Sequence, residues 1–391
     1  TYLINSKIRK AVKKNKKKEK IFNKDALNQT LNKISYKLTN DQLNVISEIN
    51  NDLKSNQKMF RLIQGDVGSG KTIVALISSL NVIYSGFQVA FMAPTEILAK
   101  QHFNLATKVF DNKINIKLLT SKTDYQERKK IISDIKNNKI NILFGTHSLF
   151  QEKIKYNNLG LIVIDEQHKF GVKQRKRLSD KGGNNCDVLA MSATPIPRTM
   201  IMTIFGDMDI SIIKNKPKNR KEIITYSKLE NKIDEVVSFI KKEINLKNQI
   251  FWVCPLIEES KKIDHQSSIK RYEYLKKIFK DRVGLLHGSL DKDKKNEILL
   301  DFLNKKIDVL VSTTVIEVGI DFQNANVIVI ENANKFGLSQ LHQLRGRVGR
   351  GSKQSYCILM FKSTLSENAK KRIKILKKSN DGFKISEEDM K

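Results

Sequence analysis

Cysteine is scarce: Cys186, Cys254 and Cys357 are the three in a chain of 391 residues. They are too few and too far apart for a disulfide framework or a cysteine zinc cluster, which points to a reducing compartment and away from thiol catalysis. Proline is scarce too, with five residues, while 40% of the chain is hydrophobic and 29% charged, a composition that folds around buried cores and excludes a low-complexity chain. No apolar run reaches the roughly 18 residues of a membrane-spanning helix. The basic N-terminus lacks the apolar stretch and cleavage site of a secretory signal, so no membrane association and a cytoplasmic location are expected. The last shortage is of negative charge: 41 Asp and Glu face 72 Lys and Arg, a net charge of +31. Nucleic acid is the polyanion such a surface fits best, although only 13 arginines among the basic residues make a general lysine bias the competing explanation.

Three hundred and ninety-one residues exceed the size of one core, so two domains are expected. From residue 60 onward, short β-branched runs alternate with helical stretches, as in crossover units of a parallel sheet. The first set of expected strands is Phe60–Gln64, Val89–Ala93, Ile116–Thr120, Ile140–Gly145, Leu161–Asp165 and Val188–Ser192. The polar, basic, proline-bearing stretch 214–221 reads as a linker between a first domain, 38–213, and a second, 222–378. The second set runs Ile223–Tyr226, Ile250–Cys254, Gly284–His287, Val309–Ser312, Val327–Glu331 and Tyr356–Met360. Both halves are expected to be α/β, doubly wound parallel sheets, with no repeat visible between them in sequence. Residues 1–37 read as a basic helical linker from an upstream domain, with Lys13 to Lys18 as a solvated helix face and a phosphate-binding arm as the alternative. Residues 379–391 read as the start of a truncated element, so the chain reads as a fragment.

Gly65-Asp66-Val67-Gly68-Ser69-Gly70-Lys71-Thr72 is a phosphate loop, G-x4-G-K-T, set between an apolar strand and a helix expected over Ile73–Ser79. Its glycines let backbone N–H groups face phosphates, Lys71 reaches the β- and γ-phosphates of ATP, and the Thr72 hydroxyl suits Mg2+. Further on, the strand Leu161–Asp165 ends in Asp165-Glu166-Gln167-His168, which sets two carboxylates at the sheet's C-terminal edge. Asp165 there suits Mg2+ through water, and Glu166 suits the attacking water. Arg345, Arg347 and Arg350 fall within six residues of a lysine-rich chain. Where charge alone would serve, this chain uses lysine; an arginine cluster therefore signals planar, bidentate contact with phosphate. Arg347 and Arg350 are the arginine-finger candidates, with a nucleic-acid patch as the competing role of the cluster and above all of Arg345. Because these parts lie on both sides of the linker, ATP is expected to bind between domains, so that hydrolysis drives their motion. Trp252 and Phe251 are expected to be core residues, and His147 and His287 contacts at strand ends rather than metal ligands.

Over residues 38 to 383 the chain resembles the superfamily 2 helicases. Leu38-Thr39-Asn40-Asp41-Gln42 is similar to their adenine-reading motif, with Gln42 as its glutamine. Ala93-Pro94-Thr95-Glu96 and Gly145-Thr146-His147 resemble strand-contacting motifs, and Ser192-Ala193-Thr194 the motif coupling hydrolysis to movement. His287-Gly288 and Ser312-Thr313-Thr314 resemble further nucleic-acid contacts, and Gly319-Ile320-Asp321 the element near the ribose. The resemblance thus implies tandem RecA-like domains, nucleotide contacts at Gln42, Gly319, Asp321 and Gln343, and nucleic-acid contacts at Pro94, Thr95, Gly145, Thr146, His147, His287, Gly288, Thr313 and Thr314. Longer strings, DEQHKFGV from Asp165, MSATPIPRT from Met191, WVCPLIEES from Trp252 and QLHQLRGRVGRG from Gln340, resemble the branch that migrates DNA junctions. That branch implies an ATP- and Mg2+-dependent, monomeric motor on double-stranded and branched DNA, such as Holliday junctions and stalled forks, in recombination and repair. It also implies an upstream wedge domain and a C-terminal helical hairpin. A transcription-repair coupling translocase usually carries DEEH where this chain has Gln167. Two further rivals are an RNA helicase and a nucleotide-dependent clamp that binds nucleic acid without moving along it.

Overall fold

A computed structural model of the chain describes residues 17–20, 37–110, 112, 114–166, 183–193, 208–215, 221–255, 261–313, 322–351, 353–362 and 365–389. The chain divides into two compact units, Thr1–Pro217 and Lys218–Lys391.

The first unit runs α1 (Asn40–Lys54), β1 (Phe60–Gly65), α2 (Lys71–Tyr84), β2 (Gln88–Met92), α3 (Glu96–Val109), β3 (Ile116–Leu119), α4 (Tyr125–Lys136), β4 (Ile142–Gly145), β5 (Leu159–Ile164), β6 (Asp187–Ser192) and β7 (Asp209–Ile213). Its strands pair in parallel in the order β3-β4-β2-β5-β6-β1-β7. β2, β4, β5 and β6 are buried along their whole length, because helices cover both faces of a parallel sheet. Their sequences accordingly read as continuous apolar runs. Three of these helix starts are set by a local polar residue: Thr39 forms a capping box with Gln42, Thr95 accepts from Leu98 N, and Asp124 accepts from Gln126 N. A cap of this kind contributes about 1 kcal/mol.

The second unit runs β8 (Ile224–Leu229), α5 (Ile233–Asn245), β9 (Gln249–Val253), α6 (Lys261–Phe279), β10 (Val283–Leu286), α7 (Lys292–Leu303), β11 (Val309–Ser312), β12 (Ala325–Ile330), α8 (Leu338–Arg345), β13 (Tyr356–Phe361), α9 (Glu367–Lys378) and α10 (Gly382–Asp389). Its parallel sheet has the order β10-β11-β9-β12-β13-β8. Strand for strand this repeats the first sheet without β7, the likeness that sequence alone did not disclose. It extends to single side chains. Gln88 opens β2 and donates to Ile135 O and Ile140 O; Gln249 opens β9 and donates to Phe302 O and Ile307 O.

All twelve expected strands are present, with no end displaced by more than three residues, and β7 is an addition alongside β1. Trp252 and Phe251 are fully buried, as a strand core requires. The expectation of a solvated helix face at Lys13 to Lys18 fails at Lys17. Residues 17–20 are not helical, and the Lys17 and Lys20 side chains are wholly buried against Asp187 at 2.7 and 2.5 Å. One carboxylate at the start of β6 gathers both ammonium groups, Met59 N also donates to it, and Asn185 O accepts from Lys20 Nζ.

Candidate functional site

Gly65 ends β1 and Lys71 begins α2, so the five residues between them must reverse from strand to helix. Gly68 and Gly70 take left-handed backbone, φ 77° and 85°, which side chains rarely adopt. A Cβ on Gly70 would also lie 2.2 Å from Gln42 Nε2. Gln42 is itself a clasp: its Oε1 accepts from Thr39 N at 2.8 Å and its Nε2 donates to Ser69 O at 2.8 Å, tying the start of α1 to the loop. Lys71 Nζ lies over the loop, donating to Gly65 O at 2.8 Å and Asp66 O at 3.0 Å. Asp66 braces the turn through Val67 N at 2.7 Å. The first N–H groups of α2 have no acceptor within the helix and carry its positive dipole end. Ser69 Oγ is buried without a hydrogen-bond partner among the described residues. These donors fit an anion of the size of a phosphate.

Asp165 and Glu166 follow β5 directly. Asp165 N donates to Met92 O of β2 at 2.9 Å, which fixes where the strand ends. Its Oδ2 accepts from His102 Nε2 at 2.8 Å, and its Oδ1 from Glu166 N at 3.0 Å. Burial favours the neutral acid, yet the hydrogen bond and electrostatic pull of His102, with the Lys71 ammonium and the Glu166 N–H, hold the Asp165 carboxyl below the usual carboxylate range. Lys71 and Asp165 therefore share one electrostatic site. Glu166 has φ 53°, a strained backbone for a residue with a side chain, and its Oε2 accepts from Ala193 N at the end of β6 at 3.5 Å. The structure thus brings Gln42, the loop, Lys71, Asp165, Glu166 and Ala193 together on one sheet edge. His102, on α3, was not anticipated; its partner is 63 residues away, and a lone histidine in a helix carries no local signal. Among the described residues no cluster of three or more His, Cys, Asp or Glu could hold a metal by itself. Asp165 and the half-buried Thr72 fit a Mg2+ ion that arrives with phosphate oxygens, the usual manner of that cation.

The other residues singled out in sequence follow strands at the same C-terminal edges. Pro94 and Thr95 follow β2 half-buried, and Gly145 to His147 close β4 with His147 exposed. Gly145 has no room for a Cβ, which would meet Leu119 O at 2.6 Å. In the second unit His287 and Gly288 follow β10, and buried Thr313 follows β11. Thr314, Gly319, Asp321, Thr194, Gln167 and His168 lie outside the described residues.

Gln343 sits half-buried on α8. Arg345 is no surface patch: it is buried, donating to Leu376 O at 2.6 Å at the end of α9 and meeting His342 Nδ1 at 3.0 Å. Arg347 is buried and Arg350 half-buried, on either side of Gly349 with φ 78°. The three thiols are buried too. Burial pushes Cys186 and Cys357 up to about 12 and Cys254 well above its ordinary value, so none is a nucleophile.

A phosphate loop and a facing Asp-Glu pair on the first of two matching parallel sheets define a helicase core of tandem RecA-like units. Two family models agree, DEAD/DEAH box helicase over residues 39–203 and Helicase conserved C-terminal domain over residues 217–352. The chain is 46% identical over 372 residues to the ATP-dependent DNA helicase RecG of Bacillus subtilis, covering 94% of this chain and 54% of that protein. To RecG of Thermotoga maritima it is 47% identical over 361 residues, covering 92% and 46%. A solved structure of RecG bound to a three-way DNA junction superposes with a TM-score of 0.89 at 42% identity, over all of this chain and 51% of that one. The chain belongs to the RecG family of superfamily 2 helicases. It spans about half the length of the relatives it matches. Mss116p bound to ssRNA and AMP-PNP shares the fold alone, at 18% identity and a TM-score of 0.62.

Proposed function

We propose that this chain is the ATP-driven motor of a DNA helicase that acts on double-stranded and branched DNA in recombination and repair, as a cytoplasmic monomer. The observation that carries it is the single edge on which Lys71, Asp165 and Glu166 converge, within a chain so like RecG. The loop N–H groups and Lys71 hold the β- and γ-phosphates, Gln42 supports the loop beside the base, and Asp165 with Thr72 holds Mg2+. That ion neutralises charge on the phosphate oxygens when bound. Glu166 orients the attacking water and takes its proton, with its Oε2 held near Ala193 N. Arg350, and Arg347 beside it, supply guanidinium charge to the transferred phosphate. Gly319, Asp321 and Gln343 serve the nucleotide. DNA backbone is held at Pro94, Thr95, Gly145, Thr146 and His147, and at His287, Gly288, Thr313 and Thr314.

Arg350→Lys tests this reading, since it keeps charge and removes the planar fork. Steady-state ATP hydrolysis should fall by about 10³-fold or more, within the range set by arginine fingers, while duplex affinity changes less than about threefold. Full hydrolysis with weakened DNA binding would move Arg350 to the nucleic-acid surface. Hydrolysis should be stimulated most by a three-way DNA junction, less by linear duplex and least by RNA; the reverse order would favour an RNA helicase.

A further inference from the structure

The second unit contains a counterpart of the Asp165 site in which the nitrogen group that meets the carboxylate differs in kind. Glu331 follows β12 as Asp165 follows β5, and its N–H donates to Val253 O of β9 at 2.9 Å, as Asp165 N does to Met92 O of β2. The next residue is left-handed in both, Glu166 at φ 53° and Asn332 at φ 45°. In each unit the helix after the neighbouring strand sends a nitrogen base to the carboxylate: His102 of α3 to Asp165, Arg271 of α6 to Glu331. In each, that base lies against the aromatic residue one short of the strand's end. The His102 and Phe91 rings are 5.1 Å apart, and the Arg271 guanidinium lies 5.4 Å from the Trp252 ring.

The two bases have different consequences for the carboxylate. A guanidinium is charged at every accessible pH and, with Trp252 Nε1 at 2.5 Å, it saturates Glu331 Oε1. An imidazole can donate an N–H without being a permanent cation. Each Asp165 oxygen takes one protein donor, from His102 and from Glu166 N, which leaves each a lone pair facing away from its donor. We infer that His102 is a positioning residue of the nucleotide–metal site: it fixes the Asp165 carboxylate in the orientation that receives Mg2+, and an imidazole stands there because a guanidinium would take the charge that the ion needs. This rests on Asp165 as the carboxylate that holds Mg2+.

Full-length chain carrying His102→Gln, His102→Leu, His102→Arg or Asp165→Asn tests it. Mn2+, as the probe for Mg2+, is titrated in the presence of a non-hydrolysable ATP analogue and followed by electron paramagnetic resonance. Nucleotide affinity without metal and thermal unfolding are measured in parallel. His102→Leu should weaken Mn2+ binding about 10- to 100-fold, the usual effect of losing a group that orients a metal ligand, with metal-free nucleotide affinity within about twofold. His102→Gln, which can still donate, should recover most of the loss, and His102→Arg should be at least as weak as His102→Leu although it restores a donor. Wild-type Mn2+ binding in both His102→Leu and His102→Arg, while Asp165→Asn loses it, overturns the inference alone. Wild-type binding in Asp165→Asn removes the metal role of Asp165, and the inference with it. Should His102→Leu fail to fold, the contrast between His102→Gln and His102→Arg decides, and equal binding by those two counts against His102.

Discussion

The two sheets repeat one strand order, yet the first strand of one leads into a phosphate loop and the first strand of the other does not. The difference begins at the first strand of each. β1 lies inside its sheet, flanked by β6 and β7, and α2 behind it is buried nearly all round. β8 is the edge of its sheet, with Ile224 and Tyr226 40% and 45% exposed, and α5 behind it buries one stripe, Val236, Val237, Ile240 and Glu243. After β1 come glycines in left-handed backbone and Lys71 over the loop; after β8 come Glu230, Asn231 and Lys232, with no glycine and no side-chain cap on α5. The phosphate loop thus follows an interior strand and turns its N–H groups outward at a helix start, whereas the matching turn follows an edge strand and has no glycine. Shared topology supplies the scaffold, and residue chemistry at the strand ends decides its use.

The sharpest way to break this contrast is at the two turns. Lys71→Ala should lower ATP hydrolysis by at least about 10²–10³-fold, because charge stabilisation in a preorganised site is lost. Lys232→Ala, at the corresponding turn, should leave the rate within about twofold; equal losses would mean the second turn also serves nucleotide.

A second contrast lies at the opposite edge. Asp187 opens β6 between two buried lysines, whereas Tyr356 opens β13. Asp187→Asn would leave two buried cations without a counter-charge and should cost about 3–5 kcal/mol in urea unfolding. Lys17→Met leaves a one-to-one pair and should change stability by no more than about 1 kcal/mol in either direction. Burial lowers the Lys17 ammonium below its ordinary value, with Asp187 opposing. The folded state thus binds fewer protons than the unfolded one, and Lys17 weakens stability as pH falls through its folded pKa. Any advantage of Lys17→Met should accordingly shrink as pH approaches about 10.4. An advantage constant from neutral pH upward would show that the lysine is not strained by burial.

In the first strands themselves, Leu62→Ala in β1 should cost about 2–5 kcal/mol as a core cavity, and Tyr226→Ala in β8 less than about 1 kcal/mol. Similar losses would deny the difference between interior and edge. The smallest effect is distributed: DNA affinity should fall with salt by about 0.9 per neutralised phosphate on a logarithmic plot, and a flat response would detach the +31 charge from binding.

The phosphate loop, the Asp165-Glu166 pair, the arginine cluster and twelve strands were legible in sequence because each is contiguous and its backbone demands are local. β7 was not, since the five residues Asp209–Ile213 become a strand only by pairing with β1, some 150 residues earlier. Nor was the role of Arg345, whose charge pattern pointed outward while Leu376 O drew it inward.

By itself the sequence determined the class of fold, the nucleotide edge and the family, through apolar periodicity and short motifs whose glycines, lysine and carboxylates have few other uses. Tertiary structure alone decided that His102 reaches Asp165, that Gln42 clasps Ser69, that Lys17 and Lys20 converge on Asp187, and that Arg271 occupies in one unit the place of His102 in the other. Each of these joins residues tens to well over a hundred positions apart. Such contacts depend on where packing of the parallel sheet delivers two strand or helix ends, and side-chain chemistry then acts at distances of about 3 Å that no local pattern encodes.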